Sequence, residues 1–139
     1  MKIFRQELSF RSTSDIDIMD ITDEIANVVE KSRIENGQVM AHIAGSTASI
    51  STIEYEPGAV RDLKETLEKI APKDKDYHHH KTWNDGNGYS HVLASMLGCS
   101  RCFPLVSAYI ELGTWQQIIL IDLDNKPRNR KVLVQVMGE

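Results

Sequence analysis

Long apolar runs are absent from this sequence of 139 residues, and none approaches the roughly 20 residues that a membrane-spanning helix needs. An excess of positive charge is absent as well, since the formal net charge is −4, which does not favour binding to nucleic acid. The first ten residues, MKIFRQELSF, contain no apolar segment of the kind found in secretory signal peptides. The sequence therefore predicts a cytoplasmic protein with neither a membrane nor nucleic acid as a partner.

Cysteine is scarce: the chain has only Cys99 and Cys102, arranged as CSRC. A structural zinc site needs four ligands, and no second CxxC pair supplies the other two. A thioredoxin-type pair opens a helix, where the helix dipole favours the thiolate, whereas this pair follows a predicted helix. We therefore predict two partly buried cysteines without redox or metal chemistry.

Hydrophobic periodicity predicts three helices in a chain otherwise rich in strand formers. The clearest is EPGAVRDLKETLEKIAP, in which one apolar stripe runs from Val60 to Ile70 between two prolines. Another helix begins near Thr22, and a short one covers Ser90 to Leu97. The β-branched segments around these helices, including WQQIILIDL, predict strands.

The order of these elements is that of an α+β protein, because strands and helices do not alternate as they do in a parallel sheet. We predict a single domain over residues 1–139, with a predominantly antiparallel β-sandwich or barrel-like sheet and about three helices. The strand that is nearly continuous in apolar residues from Ile118 needs cover on both faces, which also favours an oligomer.

Histidines are concentrated in one segment: YHHHKTWNDGNGYSH, residues 77–91, holds four of the five in the chain. If residues 77–83 were extended, His78 and His80 would share a face and could join His91 as three zinc ligands. Alternatively, His79 pairs with His91 and takes further ligands from elsewhere, or the segment is a solvated loop. The NDGNG within it is a turn signal whose backbone N–H groups could also bind an anion.

Two further segments carry groups suited to phosphate. In GSTAS, Ser46 and Thr47 offer hydroxyl and backbone donors, although the segment lacks the P-loop pattern and is equally consistent with a simple bend. In KPRNRK, Arg128 and Arg130 lie two residues apart and therefore on one strand face. Such a pair suits two-point binding of phosphate or carboxylate, while a solvated basic turn is the other interpretation.

Taken together, the motifs resemble the YjbQ-like family, whose members are often labelled secondary thiamine-phosphate synthases. The segments that carry the resemblance, in order, are GSTASISTIEYEPG, YHHHKTWNDGNGYSHVLASMLG, FPLV, LGTWQQIILIDLD and PRNRKVLVQVMG, which cover nearly the whole chain. The resemblance implies a β-sandwich-like α+β fold assembled as a homotrimer, with pockets near the subunit contacts. It also implies a secondary ability to join the pyrimidine and thiazole halves of thiamine phosphate.

Carried over position by position, the resemblance makes His79 and His91 the preferred metal or catalytic pair and displaces the His78 and His80 alternative. The candidate catalytic residues are His79, His91, Glu54 and Gln116. The candidate phosphate ligands are Ser46, Thr47, Asn87, Arg128 and Arg130. The candidate ligands of a divalent metal, zinc or magnesium, are His79, His91 and Asp85.

In the implied reaction, a pyrimidine pyrophosphate ionises and the resulting cation couples to a thiazole phosphate. Such a site needs positive charge, usually with Mg²⁺, to stabilise the departing pyrophosphate, and His79 or His91 would move protons near neutral pH. The expected partner is thus a small phosphorylated metabolite. Two alternatives are a homotrimer that only binds a metal or such a metabolite, and a zinc-dependent hydrolase that uses the same histidines.

One position departs from many relatives, whose small-residue motif begins with histidine and has the sequence HTSA. Gly45 occupies that position here, so the site has one imidazole fewer. His42, three residues earlier, lies on the opposite strand face and does not substitute for it. In the LGTWQ motif, Trp115 is predicted to lie in the core, and the neighbouring Gln116 would need a polar partner if buried.

Overall fold

The computed structural model describes residues 1–13 and 15–139, and in that part of the chain it contains eight strands and four helices. The strands are β1 (Lys2–Arg11), β2 (Asp17–Asp20), β3 (Gly37–Ile43), β4 (Ala48–Glu54), β5 (Ser100–Val106), β6 (Tyr109–Ile110), β7 (Gln116–Asp122) and β8 (Asn129–Gly138). The helices are α1 (Thr22–Ser32), α2 (Pro57–Ile70), α3 (His78–Trp83) and α4 (Gly88–Leu97).

Two antiparallel sheets form a sandwich. The larger has the strand order β1-β8-β3-β5-β6 and the smaller β2-β7-β4. Alternate side chains of β8, namely Val132, Val134 and Val136, are buried in the core that the larger sheet shares with α1 and the smaller sheet. The α+β class and the predominantly antiparallel sandwich predicted from the sequence are confirmed.

The nearly continuous apolar sequence of β7 is explained by cover on both of its faces. Ile118 and Leu120 belong to the core between the sheets, whereas Ile119, Ile121 and the following Leu123 belong to a second core formed with α2 and α4. All five side chains are fully buried, and each stabilises the fold by roughly 1.5–3 kcal/mol relative to exposure. The cover predicted for this strand is therefore supplied within the chain.

The helix predicted between two prolines is present as α2. The carboxylate of Glu56 precedes it and accepts hydrogen bonds from the backbone N–H groups of Gly58 and Ala59, both at 2.8 Å. These contacts satisfy two of the N–H groups that the first turn of a helix leaves free. Along the helix, Leu67 is buried in the second core and Val60 and Leu63 pack against it, whereas Ile70, the last residue of the predicted stripe, is exposed.

Three local predictions are wrong. Residues 78–83, expected to be a loop or extended, form α3, whose HHHKTW sequence has no apolar stripe that would reveal a helix. Trp115 is 70% exposed because it lies in the turn that leads into β7 rather than in the core. Cys99 and Cys102 are exposed rather than partly buried. No helix of residues 1–13 and 15–139 has the length and apolar character needed to cross a membrane.

The outer face of the larger sheet, opposite the core, carries side chains in rows across its strands. One row consists of Glu7 on β1, Leu133 on β8, His42 on β3 and Ser100 on β5, each opposite the next in the strand register. These four side chains are half-buried or exposed, in contrast to the buried valines with which Leu133 alternates. His42 therefore lies on the outer face of the sheet, opposite the core.

Candidate functional site

Three of the predicted site residues come together at the junction of α3 and α4. The rings of His79 and His91 have centroids 4.4 Å apart, with their planes tilted by 38°. His79 Nδ1 lies 3.3 Å from Asp85 Oδ1, close enough for an ion pair but not aligned for a hydrogen bond. The buried Nδ1 is therefore without a hydrogen-bond partner in the described part of the chain, and a small rotation of either side chain would supply one.

Gly88 allows α3 and α4 to approach this closely. A Cβ atom on Gly88 would lie 2.5 Å from the Cβ of Tyr77, so no side chain fits there. His80 occupies the same junction, where its Nε2 accepts a hydrogen bond from the Gly88 N–H at 3.3 Å and its ring meets Tyr77 edge-on. His80 thus caps α4, which begins two residues earlier than predicted, and His78 is exposed. Only two of the four histidines in this segment remain available for a site.

His91 lines an open cleft of about 490 Å³, which we call the histidine cleft. Its walls come from the turn before β4, from α4 and from the residues just before β5. The lining residues are Gly45, Ser46, Ala48, His91, Ala94, Ser95, Gly98 and Cys99. The polar groups are one imidazole, two hydroxyls and one thiol, so the cleft can form hydrogen bonds and exchange a proton.

Two buried carboxylates lie at the end of β7 and connect it to β4 and β8. Arg130 binds Asp122 through two hydrogen bonds, from Nε at 2.8 Å and from Nη2 at 2.9 Å. Nη2 of Arg130 also donates to Thr47 Oγ1 at 2.8 Å. Arg128 donates from Nε to Asp124 at 2.9 Å. We call this arrangement the Asp122–Asp124 network; it joins three strand ends through charged hydrogen bonds.

The network also includes most of the predicted phosphate ligands. Asp124 accepts further hydrogen bonds from Thr47 Oγ1 at 3.1 Å and from Asn87 Nδ2 at 3.2 Å. Of the five predicted phosphate ligands, the four that bind these carboxylates are Thr47, Asn87, Arg128 and Arg130. Ser46 alone is exposed on the histidine cleft. Two arginines and two aspartates balance in charge, so the network adds no net positive charge beside the cleft.

The pKa of Asp124 shows how strongly the network favours the ionised carboxylate. Burial alone would raise this pKa, because a charged carboxylate loses its hydration. Hydrogen bonds from the backbone of Asn125 and from the Asn87 side chain, together with the bonded Arg128, outweigh burial and hold the pKa of Asp124 below its ordinary value. Asp124 is therefore ionised at neutral pH.

Glu54 and Gln116 lie at the opposite end of the smaller sheet from the histidines. In the register of β4 and β7, Ala48 pairs with Asp122 and Glu54 pairs with Gln116. Six residues of strand separate the two pairs, which corresponds to about 20 Å. Gln116 is exposed and makes local contacts, accepting from the Gly113 N–H at 2.9 Å and donating to a threonine. One chain therefore does not bring the four predicted catalytic residues together.

The geometry of His79, His91 and Asp85 determines whether they could hold a metal ion. In the described residues, no group of three or more His, Cys, Asp and Glu side chains has an arrangement that could hold a metal ion. The unpartnered Nδ1 of His79 faces Asp85, which is the geometry of a carboxylate that orients an imidazole. The donor set fits an acid–base pair better than a metal site.

The sequence interpretation missed Asp122, Asp124, Ser95 and Cys99. A signal for the aspartates was present, because IILIDLD places two acidic residues at alternate positions in an otherwise apolar strand. Buried carboxylates require charged or hydrogen-bonding partners, and the two arginines that follow could have been assigned to them. Ser95 and Cys99 carried no comparable signal, because their position on the cleft depends on how α4 packs.

Comparisons with known proteins cover almost the whole chain. The family described as "UPF0047 protein YjbQ-like" matches residues 6–139. A UPF0047 protein of Methanothermobacter thermautotrophicus is 36% identical over 139 residues, covering 100% of this chain and 95% of the relative. One of Archaeoglobus fulgidus is 34% identical over 131 residues, covering 94% and 99%. A crystal structure of a YbjQ-like protein of unknown function from Sulfolobus solfataricus has a TM-score of 0.94, with 31% identity and 99% of each chain covered.

Proposed function

The chain belongs to the UPF0047 YjbQ-like family, and we propose that it is an enzyme that binds a small phosphorylated metabolite in the histidine cleft and moves protons with His79 and His91. The observation that carries this proposal is the close, tilted imidazole pair, which has one ring on an open cleft and a carboxylate beside the other. Imidazole both donates and accepts protons near neutral pH.

Each member of the pair has a distinct role in the proposal. His91 lines the cleft and contacts the ligand, donating a proton or hydrogen bond to the oxygen that leaves. His79 lies beside it, with ring centroids 4.4 Å apart, and would exchange the proton with His91 through a bridging water, while Asp85 orients the His79 ring. Ser46 and Ser95 offer hydroxyls to the ligand from the cleft wall. The network residues hold the ends of β4, β7 and β8 in place.

The specific reaction that we propose is the coupling of a pyrimidine pyrophosphate to a thiazole phosphate. The bond from the pyrimidine methylene carbon to the pyrophosphate oxygen breaks, and a bond from that carbon to the thiazole nitrogen forms. The products are thiamine phosphate and pyrophosphate, and a proton from His91 would neutralise part of the charge that develops on the leaving oxygen. Binding of a divalent cation stays a prediction. The cation would be zinc or magnesium, and its candidate ligands are His79, His91 and Asp85.

We further propose a homotrimer, because the catalytic set is incomplete in one chain. Glu54 and Gln116 lie about 20 Å along the sheet from the end that carries Asp122, and a neighbouring chain could bring them to the histidines. Exposed Trp115, adjacent to Gln116, provides an apolar contact for such an interface. Light scattering coupled to size-exclusion chromatography should give three times the 15.7 kDa chain mass, and a monomeric mass would remove this part of the proposal.

The experiment is an assay of thiamine phosphate and pyrophosphate formed from the two precursors, with magnesium, with zinc and with a chelator. We expect both products in equal amounts, and a loss of about 100-fold or more in rate for His79→Asn and His91→Asn. His78→Asn is the matched control, because it removes an exposed imidazole one residue away and should retain the wild-type rate.

The other outcomes select among the alternatives. Binding of a precursor without turnover would support a phosphometabolite-binding protein, whereas zinc-dependent cleavage of phosphate esters would support a hydrolase. Full activity in both His79→Asn and His91→Asn would refute the acid–base role of the pair.

A further inference from the structure

A second concavity, of about 390 Å³, opens at the edge of the outer face of the larger sheet. We call it the His42 cleft; its polar lining residues are Glu7, His42, Asn129, Arg130 and Lys131. It shares no lining residue with the histidine cleft. We propose that the His42 cleft binds a small oxyanion of the phosphate class, and this proposal does not depend on the reaction proposed above.

Arg130 borders this cleft, but its side chain lies on the core side of β8, as Val132 does, where it binds Asp122. Its Nε and Nη2 are held by Asp122, whereas Nη1 takes part in none of the hydrogen bonds or ion pairs recorded for residues 1–13 and 15–139. Nη1 lies next to Gly45, since a Cβ atom there would be 3.4 Å away. The first donor of the His42 cleft is instead Lys131, which lies on the outer face of the sheet with Leu133.

His42 supplies a second donor. Its Nδ1 is 2.5 Å from Ser100 Oγ, its partner across β3 and β5. When the serine hydroxyl donates to Nδ1, the ring proton resides on Nε2, which is then the nitrogen left to donate to a ligand. This pairing fixes the plane of the imidazole, so His42 is oriented before any ligand arrives.

Lys131 and Glu7 complete the lining, and a ligand would compete with Glu7 for Lys131. Lys131 Nζ lies 3.6 Å from Glu7 Oε1, and both side chains are more than half exposed, so this ion pair is weak. An oxyanion that enters the cleft replaces Glu7 as the partner of Lys131. The affinity therefore depends on His42 and on the release of Lys131 from Glu7.

The test is a titration of isotope-labelled protein with inorganic phosphate, followed by NMR. We expect the signals of His42, Lys131 and Ser100 to shift with saturation. Lys131→Gln should weaken binding by about tenfold, because a charge-assisted hydrogen bond is lost. Glu7→Gln should strengthen binding, because it removes the competing carboxylate. Lys126→Gln is the matched control: it removes one exposed lysine from the neighbouring turn and should leave the affinity unchanged.

Two results would overturn the proposal. Shifts confined to Ser46 and His91 would place phosphate in the histidine cleft instead. Equal weakening by Lys131→Gln and Lys126→Gln would mean that only the general charge matters. Failure of the thiamine phosphate assay would not affect this conclusion, because the readout is phosphate binding alone.

Discussion

Replacement of Arg130 by methionine should destabilise the protein strongly. The Arg130 side chain is 11% exposed and binds Asp122, whose side chain is fully buried, through two hydrogen bonds. In Arg130→Met, Asp122 keeps only the hydrogen bond from the Asp124 N–H at 3.0 Å. Leaving one partner of a buried ion pair uncompensated costs about 3–5 kcal/mol, a large part of the roughly 5–15 kcal/mol by which domains are stable.

The assay is equilibrium unfolding in urea, with the free energy of unfolding compared between variants. Arg128→Met is the matched control, because Arg128 is 39% exposed and its partner Asp124 keeps other donors, so its loss should cost about 1 kcal/mol. The double variant Asp122→Leu with Arg130→Met removes both charges and should recover much of the loss. If Arg130→Met costs no more than Arg128→Met, the network is not the structural unit described here.

Three further predictions concern the same region. The pKa of Asp124 is lower in the folded state than in the unfolded state, so ionised Asp124 stabilises the fold at pH values above its unfolded pKa. This contribution should be lost as the pH falls below about 4. In Asp124→Asn, the free energy of unfolding should therefore depend less on pH in the acid range. His80→Ala should cost about 1 kcal/mol in urea unfolding through loss of the α4 cap, whereas His80→Gln, which keeps an acceptor, should cost less. Gly88→Ala should lower the thermal midpoint because its Cβ would lie 2.5 Å from Tyr77, whereas Gly45→Ala meets only an ordinary contact at 3.4 Å and should leave the midpoint nearly unchanged.

Much of the fold could be predicted because its signals are local. The apolar stripe of α2 and the run of apolar residues in β7 each determine one element, and burial on both faces of β7 follows from its composition. α3 could not be predicted in this way, because none of its residues is buried and its sequence has no apolar stripe. Trp115 was assigned to the core from its size alone, although the turn that holds it lies at the surface.

The candidate site was predictable only in part. The family resemblance, rather than the residues alone, implied that His79 and His91 form a pair, and the structure places their rings 4.4 Å apart. The same resemblance could not show that Glu54 lies at the far end of β4, because strand direction decides that separation. Arg130 was predicted to bind phosphate, whereas in the structure it binds Asp122. This contact depends on which strand ends lie side by side, which the sequence alone does not show.

The most direct test of the central claim is an NMR measurement of the imidazole signals while thiazole phosphate is added. The chain has five histidines, so each C–H signal can be assigned from single substitutions. If the phosphorylated ligand lies in the histidine cleft, the His79 and His91 signals should shift together with saturation, and the exposed His78 should stay unchanged. Saturable binding that leaves both His79 and His91 unshifted would contradict the account.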